Sequence, residues 1–120
     1  MAVTGIDHVQ VAAPEGCEEQ ARAFYGGLLG LEELPKPAAL AARGGCWFRA
    51  GAQELHVGVE DQFTPARKAH PGFVVDDLDA LRARLHDAGH DTTVDAETIP
   101  GSVRAYVHDP FGNRLELRQA

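Results

Sequence analysis

The stretch HDPFGNRLELRQA, residues 108–120, decides how this chain folds. "DPFGN" has the residues of a tight turn, with proline and glycine framed by Asp109 and Asn113. "RLELRQ" then alternates, with Leu115 and Leu117 on one side of a strand and Glu116 on the other. With "SVRAYVHD" before the turn, the stretch predicts a terminal β-hairpin. An acid between two leucines either faces water or faces a cavity and holds something there.

Upstream, the same pattern occurs a second time. "CWFRA", the turn "GAQ" and "ELHVGVE" predict another hairpin, in which Leu55, His56 and Val57 match Leu115, Glu116 and Leu117. Ahead of it, "VTGIDHVQVAA" alternates as a strand, with Val9 and Val11 on one face and Ile6, His8 and Gln10 on the other. Pro14 and Glu15 open a helix whose stripe is Cys17, Ala21, Phe24, Tyr25 and Leu28, closed by Gly30. "LPKPAALAARGG" reads as a loop, and residues 60–69, punctuated by Pro65, as a linker. "HPGFVVDD" is then a strand. "DDLDALRARLHDAG" is an amphipathic helix with Leu78, Leu81, Leu85 and Ala88 aligned, capped by Asp76 or Asp77 and closed by Gly89. "TTV" supplies one more strand. The order strand, helix, strands, hairpin thus occurs twice, an internal duplication of about sixty residues. It makes one domain over residues 1–120, with module 1 at 1–60 and module 2 at 68–120. Each half is too small to bury its own sheet face, so the two must combine.

Duplication turns scattered polar residues into a constellation. His8 and His70 open equivalent strands 62 positions apart, and His56 and Glu116 occupy equivalent hairpin strands 60 apart. If the sheets curl toward a common cavity, His8, His56, His70 and Glu116 converge there. Imidazoles and a carboxylate suit one first-row divalent ion: Zn, Ni, Mn, Co or Fe. Glu54 shares a face with His56 and stays open as the alternative hairpin ligand. The apolar frame around His56 favours the histidine. His86, His90 and His108 are read as solvent-side residues.

The totals narrow the class. A formal charge of −7 over 120 residues excludes nucleic acid as the expected partner and is compatible with a cationic ligand. Cys17 and Cys46 form no C-x-x-C spacing, which predicts reduced thiols. No basic leader and no membrane-length apolar run appears, so a soluble cytoplasmic protein is expected. The single serine, Ser102, lacks a G-x-S-x-G context, and no phosphate-cradling glycine fingerprint or H-E-x-x-H occurs.

"IDHVQVA" with "ARAFYGGLLGLEE", "AHPGFVVDDLDALRARLHDAG" and "YVHDPFGNRLELR" resemble the vicinal oxygen chelate superfamily, the glyoxalase I, bleomycin resistance protein and extradiol dioxygenase group. The resemblance spans nearly the whole chain and is thinnest over residues 32–45. It implies an α+β fold: two tandem βαβββ modules forming a cupped, mixed-sheet, barrel-like cavity with helices outside. By position it carries metal-ligand roles to His8, His70 and Glu116, with the hairpin ligand, commonly glutamate in glyoxalase-type members, falling at His56 or Glu54. It also implies a homodimer.

The expected activity is that of a glyoxalase-like, metal-dependent lyase or isomerase that chelates vicinal oxygens of a small-molecule substrate. Glu116 is the first candidate for the catalytic base and Glu54 the second. Gln10, Trp47, Arg49, Arg104 and Tyr106 are the expected substrate contacts. An Fe(II) ring-cleaving dioxygenase is the alternative within enzymes, with a fosfomycin-type thiol transferase behind it. A metal-free protein that sequesters a cationic drug is the alternative outside them.

Overall fold

A computed structural model describes residues 2–120, which fall into two compact units, 2–64 and 65–120. The first contains β1 (His8–Ala13), a short helix α1 (Glu18–Ala21) that widens into a π-helical stretch (Arg22–Leu28), β2 (Glu32–Leu34), α2 (Ala38–Ala41), β3 (Cys46–Ala50) and β4 (Gln53–Val59). The second contains β5 (Gly72–Val75), α3 (Leu78–Asp87), β6 (Thr93–Asp95), β7 (Arg104–His108) and β8 (Arg114–Gln119). Each unit is a βαβββ module with a four-stranded mixed sheet, ordered β1-β4-β3-β2 and β5-β8-β7-β6. The first and last strands of each module pair in parallel, and the others are antiparallel.

Strand alternation sorts the side chains. In the first module Val11, Ala13, Phe48, Leu55 and Val57 are buried, together with Ala21, Phe24 and Tyr25 of the helix. In the second, Ala105, Val107, Leu115 and Leu117 are buried with Leu78, Leu81 and Leu85 of α3. Burying such side chains contributes roughly 1.5–3 kcal/mol for each large one, the main source of stability in sheets this small. The opposite faces are polar and carry the residues treated below.

Local differences from the sequence reading have physical causes. Pro14 and Glu15 do not begin the first helix, which starts at Glu18, after Cys17 in the cap position and a turn at Gly16. Leu29 N–H bonds to Phe24 O at 2.9 Å, an i→i+5 bond, where Gly26 and Gly27 weaken ordinary helical preference. Gly30, with φ 75°, follows this helix as expected. The loop expected at 34–45 holds α2, and its first residue belongs to Glu32–Leu34, an acidic edge strand on β3. Ile6 lies outside β1 and is exposed. Asp77 caps α3 by accepting from Ala80 N–H at 3.0 Å. In the terminal turn, buried Asp109 accepts from the N–H groups of Phe111 and Asn113 at 2.9 and 2.8 Å, which sets the hairpin.

His70 does not open a strand as His8 does, because β5 begins at Gly72. Proline cannot donate to a ladder, and Pro71 contributes only its carbonyl, which accepts from Glu116 N–H at 3.0 Å. The matching positions hold nonetheless: Gln10 pairs with His56 as Gly72 pairs with Glu116.

Candidate functional site

In the first module one sheet face carries His8 and Gln10 from β1, Glu54 and His56 from β4, and Trp47 and Arg49 from β3. The register causes this: His8 pairs with Glu54, Gln10 and Trp47 both pair with His56, and Arg49 pairs with Glu54. Paired residues on neighbouring strands point to the same side. The His56 ring is sandwiched. Trp47 stacks on it at a centroid distance of 4.1 Å and 4° between planes, and His8 at 4.1 Å and 14°. His56 is only 5% exposed, and its Nε2 lies 2.9 Å from Glu54 Oε1. Arg49 Nη1 lies 4.0 Å from the other Glu54 oxygen. His8 Nδ1 donates to Asp7 at 2.9 Å, which leaves its Nε2 as the lone-pair nitrogen. Gln10 lays its amide across β4 at Gly58, where any Cβ would come within 2.8 Å of it.

In the second module the corresponding face carries Glu116 with Arg114 on β8, and Arg104 with Tyr106 on β7. Tyr106 pairs with Glu116, and Thr93 and Asp95 of β6 complete the row. Glu116 Oε1 lies 3.2 Å from His70 Nε2, and Oε2 lies 3.6 Å from Arg104 Nη1. Arg104 also donates to Asp95 at 3.3 Å. Burial alone would raise the Glu116 carboxyl, but the His70 bond, the Arg104 charge and the Tyr106 hydroxyl outweigh it and hold the group below the usual carboxylate range. Bonds from the backbone N–H and side chain of Thr98, and from the Glu97 N–H, hold Asp95 far below that range.

The donor chemistry fits a divalent ion. His70 Nδ1 lies 2.7 Å from Lys68 O, and a carbonyl can only accept, so Nδ1 carries the proton. His70 Nε2 then faces Glu116 Oε1 at 3.2 Å, a pair that either shares a proton carried on Nε2 or can turn its two donor atoms to one cation. An imidazole whose second nitrogen is tied to a carbonyl or carboxylate is the usual state of a metal-ligating histidine, and His8, tied to Asp7, shares it. Among the described residues, however, no group of three or more His, Cys, Asp or Glu side chains is arranged to hold a metal.

His8, His56 and Glu54 thus come together in one module, and His70 and Glu116 in the other. Trp47 and Arg49 lie beside the first group, Arg104 and Tyr106 beside the second. His86, an exposed residue, pairs with Asp91 on the surface at 2.6 Å. The sequence reading missed Arg114, whose guanidinium lies 4.3 Å over the Tyr106 ring. Its spacing of two from Glu116 was the available signal. Asp7, adjacent to His8, and Asp95, which holds Arg104, were also missed.

Two βαβββ modules, each with a four-stranded mixed sheet, are the architecture that the sequence resemblance implies for the vicinal oxygen chelate class. The chain belongs to the Glyoxalase/Bleomycin resistance protein/Dioxygenase superfamily, whose family model matches residues 5–117. It is 53% identical to a glyoxalase family protein from Bacillus anthracis, over 99% of this chain and 97% of that one, with a TM-score of 0.93. A glyoxalase family protein from Enterococcus faecalis is 26% identical, over 96% and 97% of the two chains, with a TM-score of 0.74. Lactoylglutathione lyase from Agrobacterium tumefaciens, at 23% identity over 100% and 96% and a TM-score of 0.73, is a likeness of fold. No protein of curated function matches the chain. No helix among the described residues is long and apolar enough to cross a membrane.

Proposed function

We propose that this chain is a metal-dependent enzyme of the glyoxalase-like lyase or isomerase type, acting on a small molecule with two neighbouring oxygens. The metal-ligand roles follow the sequence resemblance: His8 in the first module, and His70 with Glu116 in the second. The observation that carries the reading is His70, whose Nδ1 is tied to Lys68 O while its Nε2 faces Glu116 at 3.2 Å. Two histidines and one carboxylate leave coordination positions open for substrate, as catalytic sites require. When bound, a divalent ion supplies Lewis acidity toward the two substrate oxygens.

The chain's own residues do the rest. Glu54, oriented by His56 at 2.9 Å, takes the proton alpha to the substrate carbonyl. Glu116 is the poorer base, because His70, Arg104 and Tyr106 hold it in its ionised form. Arg49 and Gln10, exposed on the same face as Glu54, contact the substrate, and Trp47 walls the site.

Metal analysis of protein purified without chelators tests the reading. The expected result is close to one equivalent of a divalent ion in the wild type and its loss in His70→Ala and Glu116→Gln. Less than about a tenth of an equivalent, unrestored by added Mn, Ni, Co, Zn or Fe, refutes the enzyme and leaves the metal-free drug-binding protein.

A further inference from the structure

We propose that His56 is a positioning residue, which fixes the ring plane of His8 by stacking and aims the Glu54 carboxylate through its Nε2–H, and that it is not itself a metal ligand. The inference rests on the metal reading above. An imidazole nitrogen presents its lone pair in the plane of its ring, and a ligated ion lies in that plane about 2.1 Å away. The His8 and His56 planes are inclined by only 14° with centroids 4.1 Å apart, so they intersect far beyond that reach. One ion cannot lie in both planes. The His56 ring is further confined by Trp47 on its other face, at 4.1 Å and 4°.

The remaining geometry gives His56 its task. Its Nε2 is the nitrogen that meets Glu54, at 2.9 Å, and an ionised carboxylate accepts there, so Nε2 carries the proton. The His56 side chain is 7% exposed, whereas that of His8 is 44% exposed and that of Glu54 28%. A buried ring thus braces two accessible functional groups. This is the arrangement in which an outer residue sets the orientation of a ligand.

Cadmium titration tests the role, followed by NMR of protein labelled with nitrogen isotope at histidine. In the loaded protein, the His8 ring nitrogen couples to cadmium, while His56 Nε2 keeps its proton and shows no coupling. A cadmium-coupled His56 nitrogen overturns the proposal and leaves the metal reading intact. Absence of cadmium uptake by the wild type overturns the metal reading and this role with it. Two variants add an independent arm. His56→Phe keeps a ring between Trp47 and His8 and holds cadmium affinity close to wild type, whereas His56→Ala loses about 10–100-fold. Equal losses in folded Phe and Ala variants identify His56 as a ligand, and no loss in either removes the positioning role. Emission from Trp47, the single tryptophan, reports whether the stack persists in each variant.

Discussion

Gly45→Ala tests the backbone geometry that delivers Trp47 to His56. Gly45 immediately precedes β3, is buried and has φ 84°. A Cβ there would overlap the Val57 carbonyl oxygen and lie 3.2 Å from its carbon. Two residues on, Trp47 faces His56 in the same β3–β4 ladder. Alanine at this φ costs about 1–2 kcal/mol, and the overlap forces the strand entry to move. That movement breaks the bond from Gly45 N–H to Glu18 Oε2, 2.9 Å long and charge-assisted, adding about 1.5–3 kcal/mol. The expected loss is about 3 kcal/mol or more, which lowers the urea midpoint by roughly 2 M. Gly51→Ala is the internal comparison. Its φ is 62° but nothing lies within 4 Å of the added Cβ, so only the backbone cost of about 1–2 kcal/mol applies. Urea unfolding followed by circular dichroism gives both values, and Trp47 emission reports the stack directly. Equal destabilisation of the two variants, within about 0.5 kcal/mol, refutes the close-approach reasoning.

Two further expectations concern titration. The Glu116 carboxyl lies below its ordinary value of 4.5 in the folded chain, so its contribution to stability is fully present above that pH and is lost as pH falls through the folded value. Between about pH 6 and about pH 3, wild type therefore loses more stability than Glu116→Gln, measured by urea unfolding at both; parallel losses remove the Glu116 contribution. Burial, assisted by the neighbouring Glu18, pushes the Cys17 thiol up to about 12. Burial also raises Cys46, and both side chains are buried. A chromogenic disulfide reagent near neutral pH is expected to label neither in the native protein and both in urea, and stoichiometric labelling of native protein within minutes contradicts this.

The legible parts of the fold were those in which apolar residues alternate or recur. Leu55 and Val57 around His56, and Leu115 and Leu117 around Glu116, gave away both long hairpin strands because every one of the four is buried. The Leu78, Leu81 and Leu85 stripe gave α3 in the same way, with Asp77 marking its start. The edge strand Glu32–Leu34 had no such signal. Two of its three residues are exposed acids, and only its partner β3 defines it. The π-helical stretch was equally silent, since the Phe24 and Tyr25 stripe matches an ordinary helix while the widening depends on packing and on Gly26 and Gly27.

The same division runs through the candidate site. Period-two alternation put His8, Gln10, Glu54 and His56 on one face, and the register agrees. Alternation specifies a face but not the plane of a ring, so the sequence favoured His56 as the hairpin ligand, on its frame of Leu55 and Val57, and kept Glu54 as the alternative. What separates them is the Trp47–His56–His8 stack, set by the β3–β4 register and by the parallel pairing of β1 with β4. Neighbours in such a stack come from three strands, two of them far apart in sequence. A carboxylate at position 56 could not stack in that way, so a histidine there changes the division of labour. In the proposed site the ring takes the bracing role, and Glu54, two residues back on the same strand and held by His56 at 2.9 Å, is the carboxylate assigned to the chemistry.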